Sequence, residues 1–197
     1  MKTIVSIIGM IVCIHVNCCA YDNLELLIHP QEISERILQV AAQINKEYDG
    51  EELTLIMIMK GSLCVTADLI RELDVPCKLQ AITASSYGQN GTRSGALTIT
   101  GLDRLTLENQ HVIVIDDMFD SGKTMTSVMA QIQLKNPKSL KSLVLLLKNV
   151  PHVTSYVPEY VLFQVENRFV VGYGLDYKEF YRGLPGIYAF INDEPSF

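Results

Sequence analysis

Two adjacent carboxylates followed by a short polar loop lie near the middle of the chain. Residues 112–124 read Val-Ile-Val-Ile-Asp-Asp-Met-Phe-Asp-Ser-Gly-Lys-Thr. The side chains of Asp116 and Asp117 can accept hydrogen bonds from hydroxyl groups, or bind Mg²⁺ together with a phosphate ligand. Residues 120–124 are small and polar, and backbone N–H groups in such a loop can bind an anion at the start of a helix. The stretch therefore predicts a site for a hydroxylated or phosphorylated ligand.

The triplet Gly122-Lys123-Thr124 invites comparison with nucleoside triphosphatases. Their phosphate loop requires a glycine five residues before the glycine of the triplet. In this chain that position is Asp117. The sequence therefore excludes a triphosphatase of this type.

The elements around this loop indicate an α/β fold. Residues 112–115 predict a strand buried on both faces. After the loop, the apolar residues recur at helical spacing, as Met125, Val128, Met129 and Ile132. Helices are also predicted over 30–48 and around 67–70, and strands over 53–59, 77–84, 140–147, 160–164, 169–173 and 187–191. Strands that alternate with helices predict a central, mostly parallel sheet flanked by helices.

Composition narrows the classes of function. A chain of 197 residues suits one domain with a sizeable core. The net charge of -6 argues against a general nucleic-acid binder, which would usually be basic. The four histidines have no metal-ligand or triad spacing, so we expect structural roles for them. Outside the first twenty residues the cysteines are Cys64 and Cys77, which we expect to be buried free thiols, as in a reducing compartment.

Residues 1–20 form an apolar N-terminal extension with two open interpretations. Lys2 precedes a short apolar run that ends in small residues, as in a secretory signal peptide. The alternative is an upstream extension, or a start site assigned too early, with the domain covering 21–197. The run is too short to predict a membrane span, and we expect no stable membrane association.

Residues 85–95 are rich in glycine and small polar residues and cannot build a core element. A surface hairpin loop is one interpretation. A mobile lid over an active site is the other. Residues 96–100 predict a strand that returns antiparallel to 77–84.

The stretch 112–124 resembles the phosphoribosyl pyrophosphate motif of type I phosphoribosyltransferases. That motif is an apolar strand, two acids, two apolar residues, and then Asp-Ser/Thr-Gly-x-Thr. Three further segments resemble the pyrophosphate loop, the flexible catalytic loop and the C-terminal hood of hypoxanthine-guanine phosphoribosyltransferases: Met59-Lys60-Gly61, Ser85-Ser86-Tyr87, and 169–177 with Arg182. The resemblance runs from 24 to 191 in motif order. It implies the type I phosphoribosyltransferase fold, with a small hood formed by N- and C-terminal segments.

The resemblance implies how the chain would bind phosphoribosyl pyrophosphate. Asp116 and Asp117 would hold the ribose hydroxyls and contribute to Mg²⁺ binding. The 5′-phosphate would lie on the loop that contains Ser121, Gly122, Lys123 and Thr124, where helix capping by Ser121 is a compatible role.

Pyrophosphate would be held by three other segments. In this family Lys60 and Gly61 present backbone N–H groups, often through a cis peptide. Ser86 and Tyr87 would close over the pyrophosphate. Arg182 would bind its oxygens with a bidentate guanidinium, and Asp176 would bind a second Mg²⁺ ion.

The purine would be selected and activated by Asp120 and by residues from two further strands. Asp120 would be the catalytic residue that accepts or returns a proton at N7. Lys148 would donate to the 6-oxo group, Phe169 would stack on the base, and the Val170 backbone would read its edge, with Asp176 at the same end. Without the resemblance, Lys148 would be an ordinary surface lysine and Phe169 a core aromatic.

The resemblance implies transfer of 5-phosphoribosyl from phosphoribosyl pyrophosphate to N9 of hypoxanthine and guanine, giving IMP or GMP. A homodimer or homotetramer in the cytoplasm is expected, with export as the alternative that residues 1–20 leave open. A regulator of the same fold that binds phosphoribosyl pyrophosphate and RNA without catalysis is the competing hypothesis. The net negative charge argues against this hypothesis. The presence of residues with chemical or base-selective roles in the enzymes argues against it as well, namely Asp120, Lys148, Asp176 and Arg182.

Two positions depart from the family pattern. Met59 replaces the usual leucine, a volume-conserving change. Phe119 stands where a smaller aliphatic residue is usual, and we expect it to reshape the pocket slightly.

Overall fold

The structure is a computed structural model that describes residues 23–85 and 97–191. Its strands are β1 (Leu24–Ile28), β2 (Leu53–Met59), β3 (Cys77–Ser85), β4 (Thr98–Thr100), β5 (His111–Phe119), β6 (Ser139–Lys148), β7 (Tyr160–Val165), β8 (Val170–Val171) and β9 (Ile187–Phe190). The helices are α1 (Pro30–Glu47), α2 (Leu63–Arg71) and α3 (Lys123–Gln133), with a 3-10 turn at Leu102–Arg104. The predicted extension 1–20, most of the predicted loop 85–95, and the predicted site residues Ser86 and Tyr87 lie outside the described residues.

A six-stranded sheet forms the centre of the domain, in the order β4-β3-β2-β5-β6-β7. The pairs β3–β2, β2–β5, β5–β6 and β6–β7 are parallel, and β4 is antiparallel to β3. The predicted central, mostly parallel sheet is confirmed. Because β2, β5 and β6 are parallel neighbours, the loops that follow them leave from the same edge of the sheet, where ligands bind in folds of this kind.

Helices pack on both faces of this sheet, and β5 lies between them. Ile113 and Ile115 of β5 belong to a core shared with α1 and α2. Val112 and Val114 belong to a second core, shared with α3. The prediction that 112–115 is buried on both faces is confirmed, since all four side chains are fully buried.

A second sheet of three strands, β1-β9-β8, is antiparallel and combines both ends of the described chain. This sheet is the predicted hood. Strand β1 was not among the predicted strands, because Leu24–Ile28 reads Leu-Glu-Leu-Leu-Ile and has no clear alternation. Its pairing with β9 is a tertiary contact that the local sequence does not reveal.

Two predicted strand boundaries are wrong. The acids Asp116 and Asp117 lie within β5, which continues to Phe119, rather than after the strand. Strand β6 provides pairing partners up to Leu147, so the ladder of hydrogen bonds outlasts the apolar run. The predicted strand 169–173 is reduced to Val170–Val171, because Gly172 turns the chain with a φ of 97°.

The described residues contain free thiols and no membrane-spanning helix. Cys64 and Cys77 are free and only partly buried, and burial raises the pKa of both thiols. Between residues 23–85 and 97–191, no helix combines the length and the apolar character that crossing a membrane requires.

Packing of α3 against the sheet can be tested with two substitutions near its C-terminal end. Ile132 is fully buried in the core, whereas Leu134 is 81% exposed. We expect Ile132→Ala to lower the free energy of unfolding by about 2–5 kcal/mol, because it leaves a cavity. Leu134→Ala should change it by no more than about 0.5 kcal/mol. Urea unfolding measures both values, and equal effects would contradict the packing described.

Candidate active site

Strand register brings the loop after β2 level with the acids of β5. Met57 pairs with Ile115 in the parallel ladder, so Met59 and Asp117, each two residues further on, reach the same level. The peptide bond between Met59 and Lys60 is cis, as the resemblance implies. The loop is anchored by Ser62, whose hydroxyl donates to the Ile58 carbonyl at 2.5 Å.

Gly61 lies directly against the Asp117 carboxylate. A Cβ atom on Gly61 would sit 1.6 Å from Asp117 Oδ2. Any side chain at this position would therefore displace the loop or the acid. The structure thus brings together the predicted pyrophosphate loop and one of the two predicted ribose acids.

The two neighbouring acids differ in their surroundings. Asp116 is buried and Asp117 is partly exposed. The backbone N–H of Asp117 donates to Asp116 Oδ1 at 3.0 Å. Burial, followed by the charge of Asp117, raises the pKa of Asp116 well above its ordinary value. A cation or a hydroxyl donor beside the pair would favour its fully ionised form.

The loop after β5 leads into α3 with a conformation that requires glycine. Gly122 has a φ of 81°, and a Cβ atom there would sit 2.4 Å from Thr154 Cγ2 and 2.8 Å from Phe119 Cζ. Gly122 is also the N-cap of α3 and offers no side-chain capping bond, while Ser121 Oγ accepts from the Lys123 N–H at 3.4 Å. The first-turn N–H groups of a helix have no intrahelical acceptor, so an anion can bind there.

The Phe119 side chain lies between this loop and the core that is shared with α3. Its ring is fully buried in the α3-side core and packs edge-on against His152, with centroids 5.0 Å apart. The extra volume of Phe119 therefore lies in the core beneath the loop. His152 has the structural role predicted for it, as do His29, which caps α1, and His111, which shares a 2.6 Å hydrogen bond with Ser139.

Asp120 and Lys148 meet at the carboxyl ends of β5 and β6. Lys148 Nζ lies 3.8 Å from Asp120 Oδ2. The Lys148 side chain is 11% exposed, so it is not an ordinary surface lysine, whereas Asp120 is 58% exposed. The predicted catalytic acid and the predicted purine donor therefore form one ion pair.

The predicted purine residue Phe169 packs against other aromatic side chains of the hood. Phe169 is 43% exposed and packs edge-on against Tyr177, with centroids 5.5 Å apart, and against Phe190. Val170 is buried at the start of β8. Phe169 is thus a half-exposed aromatic at the rim of the hood rather than a core residue.

The turn after β8 contains a network of charges around Arg182. Its guanidinium pairs with Asp176 Oδ1 at 2.8 Å and donates to the Gly174 carbonyl at 2.8 Å. Glu179 was not predicted, yet its Oε2 accepts from both Lys60, at 3.0 Å, and Arg182, at 3.3 Å. These hydrogen bonds lower the pKa of Glu179. Its position three residues before Arg182 is the signal in the sequence that could have identified it.

This turn also touches the pyrophosphate loop. Gly174 has a φ of 101°, and a Cβ atom there would sit 2.1 Å from the Gly61 carbonyl oxygen. Gly61 is therefore enclosed between Asp117 of β5 and Gly174 of the hood.

Comparison with known proteins identifies the family of this chain. Residues 24–178 match the family described as the phosphoribosyl transferase domain. The chain belongs to the phosphoribosyltransferase family. A hypoxanthine-guanine-xanthine phosphoribosyltransferase from Tritrichomonas foetus is 36% identical over 169 residues, which cover 84% of this chain and 91% of that protein.

A solved structure shares the phosphoribosyltransferase fold. It is a hypoxanthine phosphoribosyltransferase from Staphylococcus aureus, with a TM-score of 0.81 and 33% identity, covering 88% of this chain and 95% of that one. The bifunctional protein TilS/HprT of Listeria innocua is 34% identical over 166 residues. The chain spans 26% of the length of that protein.

The predicted metal ligands do not form one cluster in the phosphoribosyltransferase fold of this chain. Within residues 23–85 and 97–191, no three His, Cys, Asp or Glu side chains come together as a metal site. Asp116 and Asp117 are adjacent, whereas Asp176 is engaged by Arg182 and by the backbone N–H of Glu179. A metal at either place would need further ligands, such as oxygens of a substrate.

Two glycine substitutions test the close packing of the pyrophosphate loop. We expect Gly61→Ala to lower the free energy of unfolding by about 1–3 kcal/mol, because the new methyl group overlaps the Asp117 carboxylate. Gly183→Ala is the control, since a Cβ atom at Gly183 meets nothing within 4 Å. Urea unfolding compares the two variants. If Gly61→Ala were as stable as Gly183→Ala, the loop would not lie against Asp117.

Proposed function

We propose that the chain is a purine-salvage phosphoribosyltransferase that acts on 6-oxopurines. It transfers the 5-phosphoribosyl group of phosphoribosyl pyrophosphate to N9 of hypoxanthine or guanine and releases pyrophosphate. The observation that carries the proposal is the pairing of Asp120 with Lys148 beside Asp116 and Asp117. An acid–base group and a donor for a 6-oxo group thereby lie at the same sheet edge as the carboxylates that would hold a ribose. The names of the relatives described above support the same activity.

The substrate would be divided among three segments. Asp116 and Asp117 bind the ribose hydroxyls, and loop 120–124 binds the 5′-phosphate at the start of α3. The backbone at Lys60 and Gly61 faces the pyrophosphate. The contact of Gly61 with Asp117 supports this order, because ribose and pyrophosphate are joined in the substrate.

The chemical step breaks the bond from ribose C1 to pyrophosphate and forms a bond from C1 to purine N9. The sugar passes through an oxocarbenium-like state, as in glycoside hydrolysis. Asp120 accepts or returns a proton at N7, which keeps the purine in a nucleophilic form. Lys148 donates to the 6-oxo group. Because the Lys148 side chain is largely buried, its charge is screened less than that of a surface lysine.

The oxygen ligands of this site suit a divalent metal ion, and we propose that this ion is Mg²⁺. The carboxylates of Asp116 and Asp117 are the hard oxygen ligands that Mg²⁺ prefers, with substrate oxygens completing the coordination. The buried Asp116 carboxyl, with its raised pKa, is a group that a nearby cation would stabilise in the ionised form. Asp176 would assist at the pyrophosphate end. When bound, the ion supplies positive charge that neutralises the leaving pyrophosphate.

The proposed partners are phosphoribosyl pyrophosphate, a 6-oxopurine and further copies of the chain. A cytoplasmic location accords with a substrate that is an intracellular metabolite. Large apolar side chains stay exposed on the described surface, including Leu38, Leu63 and Leu79. Single exposed residues of this kind do not define an interface, so the homodimer or homotetramer is proposed from the family resemblance alone, and light scattering measures it directly.

The activity is tested with the full chain, Mg²⁺, phosphoribosyl pyrophosphate and each purine in turn. We expect IMP from hypoxanthine and GMP from guanine, with one pyrophosphate released per nucleotide and no reaction of adenine. Binding of phosphoribosyl pyrophosphate without any nucleotide product would favour the non-catalytic regulator instead.

Asp120→Asn tests the acid–base role. We expect kcat to fall by about 10²- to 10⁴-fold, because the amide cannot accept the proton from N7. The KM values for both substrates should change little, since the amide keeps the size of the carboxylate. Steady-state kinetics with hypoxanthine measures these parameters, and a near-normal kcat would remove Asp120 from this role.

Lys148→Ala tests purine selection. We expect kcat/KM for hypoxanthine to fall by roughly 10- to 150-fold, the value of a hydrogen bond from a charged donor. The control is Lys138→Ala, because Lys138 pairs with Glu51 before the amino ends of β6 and β2. Unchanged kinetics with hypoxanthine in Lys148→Ala would contradict the assignment.

A further inference from the structure

We propose that Tyr173 is a positioning residue that holds the hood against the pyrophosphate loop through a hydrogen bond to Asp68. The inference rests on the proposed function, because it assigns Tyr173 to the pyrophosphate end of that site. Tyr173 lies between Gly172 and Gly174 in the turn that follows β8, and Asp68 lies in α2, the helix that begins directly after the pyrophosphate loop.

The hydrogen bond between these residues is short, and it joins a buried tyrosine to a carboxylate whose side chain is 43% exposed. Tyr173 is 8% exposed, and its hydroxyl donates to Asp68 Oδ2 at 2.5 Å. Burial and the Asp68 carboxylate raise the pKa of the Tyr173 hydroxyl, so it remains a protonated donor. The other carboxylate oxygen of Asp68 pairs with Arg71. The hydrogen bond therefore connects α2, which contains Asp68, to the turn after β8, which contains Tyr173.

The neighbour of Tyr173 carries the effect into the site. Gly174 packs its backbone against the Gly61 carbonyl, and its own carbonyl accepts from Arg182 at 2.8 Å. Asp68 thus fixes Tyr173, Tyr173 fixes Gly174, and Gly174 sets the positions of Gly61 and Arg182. Both of these residues belong to the proposed pyrophosphate site.

An open pocket lies beside the hydrogen bond between Tyr173 and Asp68, which we call the tether. A cavity of about 440 Å³ lies between α1, α2 and the hood, and Asp68, Tyr173 and Arg182 are among its lining residues. Backbone hydrogen bonds also hold this turn, from the Tyr173 N–H to the Leu184 carbonyl at 2.8 Å and from the Gly174 N–H to the Arg182 carbonyl at 2.9 Å. The bond from Tyr173 to Asp68 adds the link from this turn to α2. A small displacement of binding groups is sufficient to weaken a site strongly.

Loss of the hydrogen bond between Tyr173 and Asp68 should affect the two substrates differently. Loss of the tether should weaken binding at the pyrophosphate end and leave the purine end intact, because Asp120 and Lys148 are held by β5 and β6. A purely structural tyrosine would, when changed, affect both ends equally or only the stability.

Tyr173→Phe in the full chain removes the hydroxyl and keeps the ring. We expect KM for phosphoribosyl pyrophosphate, and KM for pyrophosphate in the reverse reaction with IMP, to rise about 10-fold. KM for hypoxanthine should stay within about 2-fold. Asp68→Asn retains an acceptor for the hydroxyl and should stay close to wild type, whereas Asp68→Leu should reproduce Tyr173→Phe.

The matched control is Tyr160→Phe. Tyr160 is also buried, and its hydroxyl donates at 2.6 Å to the carboxylate of Glu47, the last residue of α1, whereas the first residue of α1 follows β1 of the hood. This variant should leave all KM values unchanged. Unchanged KM values in Tyr173→Phe, or an equal rise for hypoxanthine, would overturn the proposal.

Calorimetric titration of magnesium pyrophosphate into the same variants keeps the test independent of turnover. A wild-type chain without activity on any 6-oxopurine would refute the proposed function alone. A pyrophosphate affinity in Tyr173→Phe equal to that of the wild type would refute the tether alone. Thermal unfolding of each variant shows that the comparison is made on folded protein.

Discussion

Close contact between backbone and carboxylate at Gly61 is the constraint on which the site depends. A side chain on Gly61 would overlap the Asp117 carboxylate, and a side chain on Gly174 would overlap the Gly61 carbonyl. The loop after β2, the end of β5 and the hood turn therefore meet without any intervening atoms. This meeting is possible because β2 and β5 are parallel neighbours in register, which brings their carboxyl ends to one level. A shift of register would separate Asp116 and Asp117 from the loop at Lys60 and Gly61.

Opposite charges are paired across the candidate site. Lys60 and Arg182 share the Glu179 carboxylate, and Lys148 faces Asp120. The pair between Lys60 and Glu179 is exposed on both sides, so it contributes little to stability. A multiply charged anion such as pyrophosphate can therefore replace Glu179 at small cost. Asp116 differs, because its burial makes the ionised carboxylate unfavourable unless a cation or a hydrogen-bond donor lies beside it.

Local sequence was sufficient to predict the parts of the chain in which composition and spacing agree. The strand 112–115 is apolar on both faces, and α3 shows helical spacing, so both elements were predicted correctly. The continuation of β5 through Asp116 and Asp117 was not, because its cause is the length of the neighbouring β6. Strand β1 was missed for the same kind of reason, since its partner β9 lies at the other end of the chain.

In the candidate site, too, some features could be predicted from the local sequence and others depend on tertiary contacts. Motif order identified Lys60, Asp120 and Lys148, but it could not show that Asp120 and Lys148 form an ion pair. Glu179 and Tyr173 join the hood to distant segments, and the local sequence does not show that their partners are Lys60 and Asp68. Residues that bind through their own chemistry are visible in a sequence, whereas residues that hold others in place become visible only in three dimensions.

A crystal structure of the full chain with Mg²⁺ and phosphoribosyl pyrophosphate tests the proposed site most directly. We expect the 5′-phosphate on the backbone N–H groups of loop 120–124 and the ribose hydroxyls on Asp116 and Asp117. The pyrophosphate should lie between the backbone of Lys60 and Gly61 and the guanidinium of Arg182, with Glu179 displaced from that guanidinium. Substrate bound elsewhere, or a ribose directed away from Asp116 and Asp117, would contradict this arrangement.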